Sequence, residues 1–326
     1  TLDTSLRFSD YKTVCSATTY NFGCDWAVDS ILRLRGTAGT SFRSPGLFEL
    51  YLADQTSFLS QTSVDPCIGY DTKDANGNFL QTNATVRTNC AADGLPAGWS
   101  GNGASALITT GGGLDLNPET SYATTIGFVL TPPKLGIKFA VDVWKIKVAD
   151  QIASTIGGVY QCYASEFFRT RAGFCDTFTR GADLSVATVD ASYRNIPTET
   201  TAGIDFTLDY EHEFNFGTLY LTSQATYTRY DHVQSFPGDP FDDYNGIISE
   251  PRWVGDAQTR FKHKDWTFTW TVNYAEGSSN NGFFGEDGTG FDVFGTPVTY
   301  RTSVPDFITH DFTVRYQAKT WEVLAR

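Results

Sequence analysis

Trp266, Phe268, Trp270, Val272 and Tyr274 alternate with Thr267, Thr269, Thr271 and Asn273, so one extended strand carries an apolar face and a polar face. The same period of two sets Ala202, Ile204, Phe206, Leu208 and Tyr210 against Thr201, Asp205, Thr207 and Asp209. It recurs where Ile308, Phe312, Val314 and Tyr316 oppose Thr309, Asp311, Thr313 and Arg315, and where Leu32, Leu34, Gly36 and Ala38 oppose Arg33, Arg35 and Thr37. The pattern predicts about eleven strands, beginning near residues 2, 18, 31, 119, 137, 189, 218, 252, 266, 305 and 321.

The connections alternate in length. Short ones at Ala27 to Ser30, Thr131 to Gly136, Glu211 to Gly217, His263 to Asp265 and Gln317 to Thr320 take turns with long ones. The long set is Ser9 to Ala17, Ser41 to Pro118, Ala153 to Thr188, His232 to Glu250 and Gly277 to Val304. An up-and-down antiparallel meander with tight turns on one rim and functional loops on the other has this form, as transmembrane barrels with short periplasmic turns do. A soluble sandwich has no reason to segregate its loop lengths. Trp26, Tyr210, Trp266, Tyr316 and Trp321 lie beside the short turns, where an interfacial aromatic girdle is expected. Eleven strands with an unpaired first and last cannot close in lipid, so the all-β fold is expected to be a partial barrel.

Composition agrees with strands: 25 Phe, 16 Tyr, 7 Trp and 30 Gly in 326 residues. A net charge of -13 disfavours nucleic acid as a partner. No apolar stretch reaches the ~20 residues of a spanning helix, a test that does not detect barrel strands. Met is absent, Thr1 opens directly into an alternating pattern, and Trp321 to Arg326 resembles the middle of a strand. The expectation is a piece of a longer protein, lacking an N-terminal part and the closing strands.

The six cysteines form three sequence-near pairs, Cys15 with Cys24, Cys67 with Cys90 and Cys162 with Cys175. Without a CxxC or nearby histidines they read as loop disulfides of an oxidising compartment rather than zinc ligands. Cys24 inside a strand makes the first pair the weakest. No nucleophile elbow, P-loop, Rossmann turn or HExxH occurs, and the carboxylate pairs Asp242–Asp243 and Glu286–Asp287 sit in turn-rich loops. Asp71, Asp74, Asn76 and Asn78 mimic calcium spacing without the distal Glu of an EF-hand, and Asn76-Gly77 reads as a hairpin turn. Asn83-Ala84-Thr85 is a chance sequon. No metal, cofactor or catalytic residue is expected.

Two segments carry a family likeness. Gly39 to Tyr51, GTSFRSPGLFELY, resembles the Phe-Arg-Ala-Pro segment followed by Glu-Leu in TonB-dependent receptors. Phe42, Arg43, Pro45, Glu49 and Leu50 match, with Ser44 in place of Ala. Leu114 to Phe128, LDLNPETSYATTIGF, is similar to the family's Asn-Pro-x-Leu-x-Pro-Glu-Thr. Leu116, Pro118, Glu119 and Thr120 match, while Gly113 and Asp115 depart from its Asn-Pro start. A strand, a Thr-Pro-Pro turn and VDVWKIKVADQI then follow in the family's order. The resemblance implies part of a plugged barrel of about 22 strands in the bacterial outer membrane, surrounded by lipid. It also implies an N-terminal plug, absent here, that binds TonB, and active uptake of a scarce small-molecule nutrient: an iron siderophore, cobalamin or an oligosaccharide. The alternatives are a passive porin-like channel and a secreted adhesin or glycan-binding module.

Within the long loop from Gly157 to Asp183, Tyr160, Tyr163, Phe167, Phe168, Arg169 and Arg171 are the candidate ligand contacts, beside Phe174 and Arg180 and around Cys162 and Cys175. Exposed aromatics and guanidinium groups suit an anionic chelate or sugar rings; the alternative is that the loop packs them on itself. Arg33, Arg35, Asp205, Asp209, Asp256, Arg260 and Lys262 are expected on the inner wall, facing a plug.

Overall fold

The computed structural model describes residues 1–11, 14–74, 77–103, 105–236, 240–284, 287–291 and 297–326. Eleven strands run in one antiparallel meander: β1 (Leu2–Tyr11), β2 (Val14–Ala27), β3 (Leu32–Arg43), β4 (Glu119–Leu130), β5 (Ile137–Ala149), β6 (Thr198–Phe214), β7 (Gly217–Gln234), β8 (Trp253–His263), β9 (Trp266–Ala275), β10 (Phe307–Gln317) and β11 (Glu322–Ala325). Asp242–Asp243 adds a short strand to β7, and among the described residues β1 and β11 do not pair. The sheet is an open stretch of barrel wall, the partial fold that the alternation predicts.

Residues directly opposite in an antiparallel ladder share a face, so register sorts the side chains. Trp266, Phe268 and Trp270 oppose Tyr316, Val314 and Phe312 on the outer face. Thr267, Thr269 and Asn273 oppose Lys262, Arg260 and Asp256 on the inner face. Inner charges are held within the wall. Arg33 pairs with Asp25 and Arg35 with Asp142, Thr226 donates to Asp205 at 2.8 Å, Gln224 donates to Asp256 at 2.8 Å, and Arg260 lies 4.5 Å over the Tyr220 ring. Gly127 is required beside the Arg35–Asp142 pair, because a Cβ there would meet the Asp142 carboxylate at 2.2 Å.

At the short-turn rim, Trp266, Tyr316 and Trp321 pack in sequence as tilted ring pairs at 4.8 and 5.4 Å, and Tyr210, His212, Phe214, Phe216 and Phe261 extend the belt across β6 to β8. Strands β6 and β7, 17 and 18 residues long, exceed the ~10 residues that a tilted strand needs to cross a bilayer. They carry the wall beyond the membrane on the long-loop side.

Three expectations need correction. Ser9 to Ala17 is not a long loop: Ser9 pairs with Ala17 and Tyr11 with Val14, so β1 and β2 run through it. The strand expected near residue 189 belongs elsewhere. Val186–Asp190 is a strand but pairs in a separate sheet, and the wall strand begins at Thr198. Cys15 and Cys24 both lie on β2, nine residues apart, or ~30 Å along an extended strand, far beyond disulfide reach. Cys24 is a free, exposed thiol on the outer face.

Candidate functional site

The two longest loops fold together. Gln55–Ser60 and Ser105–Thr110 from the loop after β3 join Phe178–Arg180 and Val186–Asp190 from the loop after β5 in one four-stranded sheet. The seam between the loops is parallel, with Leu107, Ile108 and Thr109 opposite Thr188, Val189 and Asp190. Helices Ala84–Ala92 and Gly158–Ala164 cover the sheet. Their contact is fixed where the Asn89 amide donates to the carbonyls of Tyr163 and Ser165 at 2.9 and 3.1 Å. Asn83 caps the first helix by accepting from the Thr85 and Val86 amides, as an Asx N-cap does. Leu95, Ala106, Ile108, Val159, Val186 and Val189 form an apolar core typical of a small domain rather than a surface loop.

Each half carries its own staple, Cys67–Cys90 in the first loop and Cys162–Cys175 in the second. Between the halves, polar ties add to the shared apolar core. Gln61 mimics a strand partner, donating to the Val186 carbonyl at 2.7 Å and accepting from its amide at 3.0 Å. Arg180 forks onto both oxygens of the buried Asp65 at 2.7 and 2.8 Å and donates to the Tyr163 hydroxyl at 2.7 Å. That hydroxyl donates to Asp93 at 2.6 Å. Burial works against the charge on Arg180, but the Asp65 carboxylate outweighs it and raises its pKa. Burial, and then the bond to Asp93, push the Tyr163 phenol up.

This geometry separates the candidate contact set into enclosed and exposed side chains. Tyr163 is fully buried and Phe168 packs 5.4 Å from it in the core. Arg169 is turned back onto the Ala92 carbonyl and Asp93. The loop satisfies these groups itself because its second half has a partner loop to pack on. Tyr160 and Phe167 remain on the surface at 47% and 42% exposure, and the Arg169 and Arg171 side chains at 60% and 84%. Asp71 is used by the Gly98 amide and Asp74 by the Asn78 amide, while Asn76 lies outside the described residues, as does Glu286. Asp287 accepts from Thr302. Among the described residues no cluster of His, Cys, Asp and Glu is arranged to hold a metal ion.

The motif positions form the joint between wall and head. Arg43 and Glu119 face each other across the β3–β4 ladder and are ion-paired at 2.5 Å; Arg43 also reaches Glu49 at 2.9 Å. The Glu49 carboxylate closes the helix Leu47–Tyr51 by accepting from the Gly46 amide at 2.6 Å, and Glu119 accepts from the Ile152 amide at 2.8 Å. Leu50, Leu116 and Pro45 are buried around the joint, Phe42 and Thr120 are opposite each other at the ladder's end, and Pro118 leads into β4. The Arg43 bond, opposed by burial and aided by the Gly46 amide, holds the Glu49 carboxyl below its usual value. A depressed carboxylate stabilises the fold above its unfolded pKa of about 4.3 and loses that contribution as pH falls through the folded value. Hydrogen exchange of the 47–51 helix is therefore expected to rise on acidification below about pH 4. In an Arg43→Gln variant it should already be raised at neutral pH and respond less to acid. Equal acid response in both proteins would remove Glu49 from the joint.

Such a wall, with inner charges tied together, an aromatic outer rim and a folded head on the opposite edge, is a stretch of antiparallel transmembrane β-barrel. The model of the TonB dependent receptor-like beta-barrel family matches residues 1–326, and the chain belongs to that family. Solved structures of the same fold include a mutant ferric enterobactin receptor of Pseudomonas aeruginosa in complex with enterobactin (TM-score 0.59, 14% identity, 98% of this chain and 36% of that one). The siderophore receptor PirA of Acinetobacter baumannii is another (TM-score 0.56, 12% identity, 98% and 38%). This chain thus spans little more than a third of the length of either receptor. No curated protein matches the sequence.

Proposed function

We propose that residues 1–326 are the wall and external head of an outer-membrane receptor that takes up an iron–siderophore chelate with energy delivered by TonB. The remaining strands and the plug would come from other parts of the receptor. The whole-chain family match carries this reading, and the siderophore receptors among the solved structures support the chelate as ligand. Tyr160, Phe167, Arg169 and Arg171 are among the exposed side chains on the head that suit an anionic, aromatic-rich chelate.

The test is accumulation of a radiolabelled ferric siderophore by cells that carry the complete receptor. Loss of TonB is expected to abolish accumulation and leave surface binding intact, whereas a passive channel would keep transporting. Tyr160→Ala combined with Phe167→Ala should raise Kd tenfold or more at unchanged receptor level. Unchanged affinity would remove these side chains from the contact set, and binding of cobalamin or an oligosaccharide in place of the chelate would redirect the ligand assignment.

A further inference from the structure

Two oxygens near the long-loop end of β7 lack a donor. Among the described residues, Asp231 Oδ1 and Asn245 Oδ1 are shut off from solvent and accept no hydrogen bond, an unfavourable state for a buried acceptor. Asn245 is only 7% exposed and cannot turn its amide, because its nitrogen is committed to the Thr228 carbonyl at 2.9 Å. The backbone of Asp231 is held on the same segment: its amide donates to Asp243 Oδ1 at 3.0 Å, and its carbonyl accepts from the Tyr244 amide at 2.8 Å. Asp243 Oδ1 also accepts from the Asn245 amide at 3.1 Å, so one carboxylate oxygen ties the two residues together.

Asp231 opposes Thr201 on the inner face, in the part of β7 that rises beyond the membrane. Other carboxylates surround it, Glu199 from β6 and Asp243 and Glu250 from the loop that follows β7, against His232 beside it on β7. Glu199 is engaged by the Gln151 amide at 2.8 Å, and Arg252 lies beside Gly246. Burial first, and then Glu199, Glu250 and Asp243, hold the Asp231 carboxyl above its ordinary value. A water or a metal ion needs space against the oxygens it bonds, and both oxygens are enclosed. A proton needs none.

We propose that Asp231 is a proton-operated catch: a proton on its Oδ1, donated to Asn245 Oδ1, holds the segment 242–246 against β7, and loss of that proton to bulk water releases the segment. One proton makes a donor of the first orphaned oxygen and supplies the second. Without it Asp231 is an enclosed anion among other anions. The catch adjoins the head, since Phe236, five residues further on, packs edge-on against Phe174 at 4.5 Å and against Gly157. A carboxyl raised in the folded state contributes stability below its unfolded value of about 3.9 and loses it as pH rises through the folded value. Acid therefore fastens this segment while it loosens the Glu49 joint. The catch goes beyond the proposed function and does not depend on the ligand.

The test is hydrogen exchange of the Tyr244 and Asn245 amides in the complete receptor in nanodiscs, corrected for intrinsic rates. Between about pH 4 and pH 7 their protection in the wild type is expected to fall about tenfold, the scale of one buried hydrogen bond. Asp231→Asn keeps a donor for Asn245 Oδ1 and carries no charge, so its protection should stay high across that range. Infrared difference spectra should show a protonated carboxyl in the wild type that Asp231→Asn lacks. An equal pH response in the two proteins overturns the catch. So does exchange that rises on acidification, which would assign the titration to Asp243, the acceptor of both amides. Should Asp231→Asn fail to fold, the exposed Glu250→Gln removes one neighbouring anion and is expected to move the wild-type midpoint to lower pH; an unmoved midpoint would overturn the assignment to Asp231.

Discussion

Arg180→Met in the complete receptor is expected to destabilise the loop head by about 3–5 kcal/mol, the cost typical of stranding one partner of a buried ion pair. Asp65 is left with its side chain fully enclosed and no countercharge, and the Tyr163 hydroxyl loses a donor. The wall does not depend on this pair, so hydrogen exchange should rise across the head strands Ser105–Thr110 and Val186–Asp190 while β4 to β7 keep their protection. Replacing both partners, with Asp65→Leu added to Arg180→Met, should recover much of the loss because no buried charge then remains. Unchanged exchange in Arg180→Met would mean that the apolar core holds the two loops together without the pair.

Ile126→Arg should cost about 2–4 kcal/mol, the penalty for a cation on the lipid face near the bilayer midplane. Ile126 is outward-facing and 73% exposed, opposite Gly36 and Val143 in the middle of β4. Thr271→Arg is the matched control. Thr271 faces inward between Gln258 and Asp311, where a guanidinium gains a carboxylate neighbour and stays off the lipid, so little destabilisation is expected. Urea unfolding in lipid vesicles compares the two, and a costlier Thr271→Arg would invert the assignment of faces.

The wall was legible because each of its strands solves the same local problem. Lipid on one side and a polar interior on the other impose alternation residue by residue, and Trp266 to Tyr274 shows it with no information from elsewhere in the chain. The head was not legible, for the opposite reason. Val186–Asp190 is rich in β-formers like a wall strand, and its partners Phe178–Arg180 and, about 80 positions earlier, Ser105–Thr110 assign it to another sheet. Asp65, Asp93 and Gln61 look like ordinary solvated loop residues in sequence, and no spacing rule joins them to Arg180, Tyr163 and Val186. The Gly157 to Asp183 loop was therefore read by composition alone, which separates neither Tyr163 from Tyr160 nor Phe168 from Phe167. The motif residues Arg43, Glu49 and Glu119 could be picked out, but not their shared contact, which arises when β3 and β4 become neighbours across the excursion from residue 44 to residue 118.

The placement of the two disulfides has a mechanical consequence. Each closes within one loop, and neither crosses the parallel seam, which is held by backbone pairing, Gln61, the Asp65–Arg180 fork and shared apolar packing. The head is thus two covalently hardened jaws joined by a clasp with no covalent link, rooted on wall strands that alternate around it. Parting the jaws breaks no sulfur bond, so oxidation protects each jaw against unravelling and leaves the clasp free to release and re-engage.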